Sequence, residues 1–92
     1  MAENYTPKDI ETKIRELIAA QFDVKPEEVT LEKSLVNDFK ADSLGIIELI
    51  MDIEGAFDLS IPEKDAPKVG GTVKEIVDYL VSIYYRSKPY QS

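Results

Sequence analysis

Ser43 occupies the position in this chain where a side chain could most readily hold a ligand. It lies in Asp42-Ser43-Leu44, directly before a segment whose apolar residues recur at helical spacing, so its hydroxyl is expected at a helix N-terminus. The first amides of a helix lack internal acceptors, and with the helix dipole they stabilise an exposed anion by about 0.3–1 kcal/mol. A phosphate ester on Ser43 would therefore be favoured. On spacing alone, however, simple capping of the helix by Ser43 or Asp42 is the stronger interpretation.

The rest of the sequence offers little for catalysis. The 92 residues include no histidine and no cysteine. Without cysteine there are no disulfides, thiolate metal sites or cysteine nucleophiles, and without histidine most general-base, triad and zinc chemistry is lost. A hydrolase with paired carboxylates would need two acids that converge in a cleft, which nothing in the sequence requires. We therefore expect a protein that is not an enzyme, with neither catalytic residues nor a metal site.

Negative charge is concentrated in the middle of the chain. The formal net charge is −7, and the segment from Asp38 to Asp65 holds eight acidic and two basic residues. This distribution argues against nucleic acid as a partner, because binding to phosphates needs clustered Lys and Arg. It favours a partner with a basic surface, although solubility alone is an equally simple explanation. The chain has no apolar run long enough to span a bilayer and no signal-like N-terminus, so we expect no membrane insertion and a cytoplasmic protein.

The spacing of apolar residues predicts an all-α fold, a small four-helix bundle. One domain is expected over residues 1–92, with its core between about 6 and 85. The first helix begins at a capping box formed by Thr6 and Asp9 and ends near Phe22. A long loop over residues 24–40 separates it from the second helix.

The second half of the chain supplies the remaining helices. The second helix begins at Ser43 and runs to about Phe57, and a short third helix begins near residue 60 and cannot extend far past Pro67. Thr72 and Glu75 form another capping box, which opens the last helix. Residues 86–92 show no periodicity and are expected to fray.

The second helix carries two apolar faces, whereas a helix in a small bundle needs only one. A second face bordered by carboxylates is typical of a docking surface, with an apolar centre and a charged rim. Alternatively, the long loop folds over this face and buries it. The expected core stripe consists of Ile46, Ile50, Ile53 and Phe57, with Leu49 at its edge. The second face consists of Leu44, Ile47 and Met51, and around it project Glu48, Asp52, Glu54 and Asp58.

The segment from Asp38 to Leu44, followed by Glu48 to Met51, resembles the attachment segment of acyl carrier proteins. The similarity extends from Ile10 to about Leu80 and includes the positions of that family's helices and loops. An Asp-Ser-Leu match alone is a weak signal, but a match that extends over all of these helices and loops is specific.

The resemblance implies a monomeric carrier in which Ser43, between Asp42 and Leu44, bears 4′-phosphopantetheine. A phosphopantetheinyl transferase would transfer the group from coenzyme A. Its terminal thiol would hold acyl intermediates of fatty-acid, polyketide or related lipid biosynthesis as thioesters, so the carrier needs no catalytic groups of its own. Synthases, transferases or ligases with basic surfaces would dock on the face formed by Leu44, Ile47, Glu48, Met51, Asp52 and Glu54. Acyl chains would be lined by Leu49, Ile53, Ile61 and Ile76.

Three positions depart from the pattern of housekeeping fatty-acid carriers, which the chain otherwise resembles. Lys40 stands where that family usually has glycine, and Gly45 and Gly55 stand where it usually has acids. A glycine inside a helix costs up to about 1 kcal/mol relative to alanine, so we expect an acid at either glycine to stabilise an exposed helix face. These departures favour a specialised carrier, for polyketide, lipid or amino-acid-derived thioesters.

Two other functions compete with this one. A calcium-binding loop over residues 37–48 would end in the required glutamate, Glu48, but it has Asp42 where glycine is needed and Phe39 and Ala41 at ligand positions. A carrier-like bundle could also serve as an unmodified subunit of a complex. Modification of Ser43 distinguishes that subunit from a carrier.

Overall fold

The computed structural model describes residues 5–87, and its regular structure is helical, as predicted. Residues 1–4 and 88–92, which include most of the segment expected to fray, lie outside the described residues. The helices are α1 (Pro7–Phe22), α2 (Leu35–Phe39), α3 (Ser43–Phe57), α4 (Ala66–Val69) and α5 (Val73–Ser87), with 3₁₀ turns at Pro26–Glu28 and Glu63–Asp65.

The predicted capping boxes set the starts of α1 and α5. Thr6 Oγ1 accepts from the Asp9 amide at 3.1 Å, and Asp9 accepts from the Thr6 amide at 3.1 Å. At the start of α5, Thr72 and Glu75 exchange the same pair of bonds, at 3.0 and 3.2 Å. Each pair satisfies amides that the first helical turn leaves without partners.

The loop between the first two predicted helices contains a helix of its own, α2, which the sequence analysis missed. Ser34 caps it by accepting from the Asn37 amide at 3.1 Å, and Asp38 accepts from the Ser34 amide at 2.7 Å. With only five residues, α2 is too short to show an apolar period, so its capping residues are its main signal in the sequence.

The second half of the chain differs from the prediction in two further details. Pro67 lies inside the first turn of α4 rather than ending the short helix, because a proline there gives up an amide that has no helical acceptor. At the C-terminal end, α5 continues to Ser87, so the first two residues of the segment expected to fray are helical.

Helix α1 packs against α3 and α5, and α4 packs against both α3 and α5. The start of α5 is joined to the segment before α2 by backbone bonds, from the Leu35 amide to the Gly71 carbonyl at 3.2 Å and from the Val73 amide to the Lys33 carbonyl at 2.9 Å. These bonds hold the start of α2 beside the start of α5. The largest fully buried side chains include Ile10, Ile14, Ile18, Leu49, Ile53, Phe57, Ile76, Leu80 and Tyr84.

Among the described residues, none of the helices combines the length and the apolar character that crossing a bilayer requires.

Candidate functional site

Ser43 is the first residue of α3, and its side chain is exposed. The residue before it, Asp42, caps the helix: its Oδ1 accepts from the Gly45 amide at 2.8 Å. The sequence left open whether Ser43 or Asp42 is the cap, and the structure assigns that role to Asp42. The Ser43 hydroxyl therefore lies at the positive end of a 15-residue helix but does not cap that helix.

A cavity of about 530 Å³ adjoins Ser43. Its walls come from α2, from the residues between α2 and α3, from the first turn of α3 and from α4. Most of its lining is apolar, so it can accept an apolar chain beside the serine. The lining residues are Val36, Ala41, Asp42, Ser43, Ile46, Ala66, Pro67 and Gly70.

The residues predicted to line an acyl chain lie elsewhere, in the core. Leu49, Ile53 and Ile76 are fully buried, and Ile61 is 8% exposed. None of these four lines the cavity beside Ser43. The sequence analysis missed Val36 and Pro67 as lining residues because it placed the first in a loop and used the second only as the end of a helix.

The second apolar face of α3 is open. Leu44, Ile47 and Met51 are 62%, 53% and 62% exposed, so the alternative in which the long loop covers them is wrong. The loop instead packs towards the start of α5, through the backbone bonds of Leu35. Val36, on α2, is 50% exposed and was not part of the predicted face.

The carboxylates around this face differ in their surroundings. Glu48 is exposed, and its Oε1 accepts from Gln21 Nε2 of α1 at 2.8 Å. Asp52 is exposed as well. Glu54 is only partly exposed, and its Oε2 accepts from the Ile61 amide at 2.7 Å, so one of its oxygens is engaged in holding the segment after α3.

The core stripe of α3 is rotated from the predicted one. Its buried residues are Gly45, Leu49, Ile53 and Phe57, whereas Ile46 and Ile50 are only partly buried. Leu49, expected at the edge, lies at the centre of the stripe. The rotation follows from the contacts of α3 with both α1 and α4, which let Ile46 face the cavity beside α4.

The rotation overturns the expectation that Gly45 lies on an exposed face. A Cβ at this position would lie 3.3 Å from Asp42 Oδ1 and 3.3 Å from the ring of Phe22, closer than side chains normally pack. An acid at Gly45 would therefore crowd the buried side of α3 rather than simply add helix propensity. Gly55 is exposed, and a Cβ there would meet no atom within 4 Å, so the expectation stands for that position.

Lys40 ends α2 in the left-handed backbone region, with φ of 59° and ψ of 37°. Its ammonium donates to the Asn37 carbonyl at 3.1 Å, so the side chain turns back onto α2. A left-handed residue at this point is what allows the chain to turn from α2 into α3 within three residues.

The segment proposed as a calcium loop, residues 37–48, is not a loop. It contains the end of α2 and the beginning of α3, and Glu48 bonds to Gln21. Within residues 5–87, no three acidic side chains come together in a way that could hold a metal ion.

Comparison with known proteins gives matches over most of the chain. A family described as "Phosphopantetheine attachment site" matches residues 12–80, which include Ser43 and every residue that lines the cavity beside it. The chain is 42% identical over 72 residues to "Acyl carrier protein 2" of Pseudomonas aeruginosa, and this alignment covers 78% of this chain and 90% of that protein. The solved structure of the acyl carrier protein from Enterococcus faecalis superposes with a TM-score of 0.70 at 32% identity, covering 84% of this chain and 96% of that one.

Proposed function

This chain belongs to the acyl carrier protein family, and we propose that Ser43 is the residue to which its 4′-phosphopantetheine group is attached. The observation that carries the proposal is the exposed Ser43 hydroxyl at the start of α3, beside an Asp42 that already caps the helix. Because capping does not require Ser43, its oxygen is available to a transferase. A phosphate ester formed there lies at the favourable end of the α3 dipole.

The residues around Ser43 fit such a group. When attached, the group supplies a terminal thiol that holds acyl groups as thioesters. The exposed serine leaves the oxygen accessible, and the open apolar cavity of about 530 Å³ beside it can cover one side of an acyl chain. Deeper in the core, Leu49, Ile53, Ile61 and Ile76 form an apolar interior between the helices, which a longer chain could enter by displacing their contacts.

The carrier itself is proposed to be non-catalytic. Its contribution is to keep the acyl group attached and to raise its effective concentration at each enzyme on which the carrier docks. The proposed docking surface consists of the exposed Leu44, Ile47 and Met51, which supply apolar contact area, and the acids around them, which favour enzymes with basic surfaces. These enzymes include the transferase that uses coenzyme A and the synthases or ligases that use the acyl group.

The cargo is proposed to be an acyl intermediate of fatty-acid, polyketide or related lipid biosynthesis. The apolar lining of the cavity beside Ser43 supports a hydrophobic acyl chain over a polar, amino-acid-derived one. Housekeeping carriers usually have an acid at the position of Gly55 and a glycine at the position of Lys40. These two differences support a dedicated rather than a general set of partner enzymes.

The test is the intact mass of the protein after incubation with coenzyme A and a promiscuous phosphopantetheinyl transferase. We expect the wild type to gain the mass of one phosphopantetheine and Ser43→Ala to gain none while remaining folded. Ser60→Ala is the matched control, because Ser60 is also exposed but lies after α3. If Ser43→Ala is still modified, the attachment site is wrong. If the wild type is never modified, the chain is an unmodified carrier-like subunit.

A further inference from the structure

Helix α4 forms one wall of the cavity beside Ser43, although it has little structure of its own. It is four residues long, which is far too short to be stable alone, and Val69 is its only fully buried residue. Ala66, Pro67 and Gly70, in α4 and directly after it, line the cavity. The position of this wall therefore depends on what fastens α4 to the rest of the protein.

Three side chains fasten it to α5. The hydroxyl of Tyr79, on α5, donates to Oδ2 of Asp65, which directly precedes α4, at 2.7 Å. The Lys68 ammonium, on α4, lies 3.9 Å from Asp65 Oδ1 and 5.5 Å from the centre of the Tyr79 ring. Tyr79 and Asp65 are both partly buried, so their bond is less exposed to competition from water than a surface pair.

We propose that Tyr79 is a positioning residue, which acts through Asp65 and Lys68 to hold α4 in place as a wall of the cavity beside Ser43. The inference rests on the proposed function insofar as the cavity shelters an acyl chain. These residues, Tyr79, Asp65 and Lys68, are here called the α4 clamp. They meet on the side of α4 that faces α5, whereas the cavity lies on the side that faces α2 and α3. Tyr79 thus affects the cavity without lining it.

The geometry explains why one hydroxyl matters for this helix. The longer helices are held by several fully buried side chains each, but α4 has a single one, so a polar bond contributes a larger share of its attachment. Elements with few buried contacts open at the lowest free energy. Loss of the Tyr79 hydroxyl should therefore increase local opening of α4, and it should lower the free energy of global unfolding by no more than this one bond contributes.

The first test is amide hydrogen exchange on the unmodified chain, read at the hydrogen-bonded amides of Ala66 and Gly70. In Tyr79→Phe we expect exchange at these amides to be about fivefold faster, the effect of one net hydrogen bond, while amides of α1 and α3 that exchange by local fluctuation are unchanged. Lys74→Met is the matched control, since it breaks the ion pair between Lys74 and Asp78 on α5 without touching α4. Unchanged exchange at α4, or equal acceleration throughout the protein, would overturn the proposal.

The second test uses the protein loaded with an octanoyl thioester and measures cleavage by hydroxylamine. Cleavage should be faster in Tyr79→Phe than in the wild type and in Lys74→Met, because the cavity loses a fixed wall. If the amides of α4 exchange faster but thioester cleavage is unchanged, the α4 clamp does not control access to the acyl chain and the positioning role is wrong. Failure of the chain to be loaded at all would instead refute the proposed function, and the exchange result on unmodified protein would stand independently of it.

Discussion

The ring of Phe22, at the end of α1, packs against Gly45 in the first turn of α3 so closely that a Cβ at position 45 would lie 3.3 Å from the ring edge. The same ring stacks on Phe39 of α2, with 6.1 Å between ring centres and 14° between ring planes. Phe22 therefore contacts the elements on both sides of the turn that leads to Ser43. A Cβ at Gly45 would therefore require the Phe22 ring or Asp42 to shift by a few tenths of an ångström.

Substitution of the two glycines of α3 should have opposite effects. Overpacking a buried position costs about 1–3 kcal/mol, which exceeds the gain in helix propensity of up to about 1 kcal/mol, so Gly45→Ala should lower the free energy of unfolding. Gly55→Ala has open space around it and should raise that free energy by up to about 1 kcal/mol. Urea unfolding of both variants measures the two values.

Phe22→Leu supplies the control for this pair. If crowding by the ring is the cause, the double variant Phe22→Leu/Gly45→Ala should be less destabilised than the sum of the single variants. Strict additivity would show that Gly45 is needed for some reason other than its contact with Phe22.

Lys40 provides a second stability test, at the turn between α2 and α3. A left-handed backbone costs a residue with a Cβ about 1–2 kcal/mol, and glycine avoids this cost but loses more chain entropy on folding. Lys40→Gly should therefore stabilise the protein by about 0.5–1 kcal/mol in thermal or urea unfolding. Lys40→Ala keeps the Cβ and removes the same bond to the Asn37 carbonyl, so it should not stabilise. Equal effects of the two substitutions would mean that the charge, and not the backbone, decides.

The sequence predicted the helices that carry their own signals. The capping boxes of Thr6 and Thr72 and the apolar periods that follow them depend only on residues a few positions apart, so α1, α3 and α5 could be located correctly. The exposed face of Leu44, Ile47 and Met51 could be predicted for the same reason, because a single helix shows its two faces in its spacing.

What the sequence could not predict depends on contacts between distant residues. The burial of Gly45 requires Phe22, which lies 23 positions earlier in the chain, and no helical period in α3 reveals that contact. The cavity beside Ser43 requires α2 and α4, and these helices are too short to show an apolar period in the sequence. The hydrogen bond between Tyr79 and Asp65 likewise joins two residues whose local sequences give no sign that they contact each other.

Charge on the proposed docking surface should control the rate of partner association. Glu48 is exposed beside Ile47, so Glu48→Lys should slow modification by the transferase several-fold at low salt, and added salt should slow the wild type in the same direction. Screening acts over about 8–10 Å near physiological ionic strength. Glu16→Lys makes the same charge change on the exposed face of α1 and should be nearly inert. If both variants slow modification equally, only net charge matters, and the proposed docking surface is wrong.

High pH should weaken the α4 clamp. Burial raises the pKa of the Tyr79 hydroxyl above its ordinary value of 10.0, its hydrogen bond to Asp65 and the Asp65 charge raise it further, and Arg86 opposes them. Lys68, over the ring, also faces the group. Below pH 10 the hydroxyl is protonated in both the folded and the unfolded chain, so its contribution is fully present. Above that pH the unfolded chain loses the proton first, and the contribution falls as pH rises.

Urea unfolding of the wild type and of Tyr79→Phe between about pH 8 and 11 measures this effect, a range that brackets the ordinary pKa of tyrosine. The other tyrosines are common to both proteins, so their titration cancels in the difference. We expect the wild type to be more stable by a constant amount up to about pH 10 and this advantage to shrink above it. An advantage that stays constant to the highest pH would mean that the hydroxyl of Tyr79 gains nothing from Asp65. The α4 clamp would then reduce to the ring of Tyr79 and the Lys68 ammonium above it.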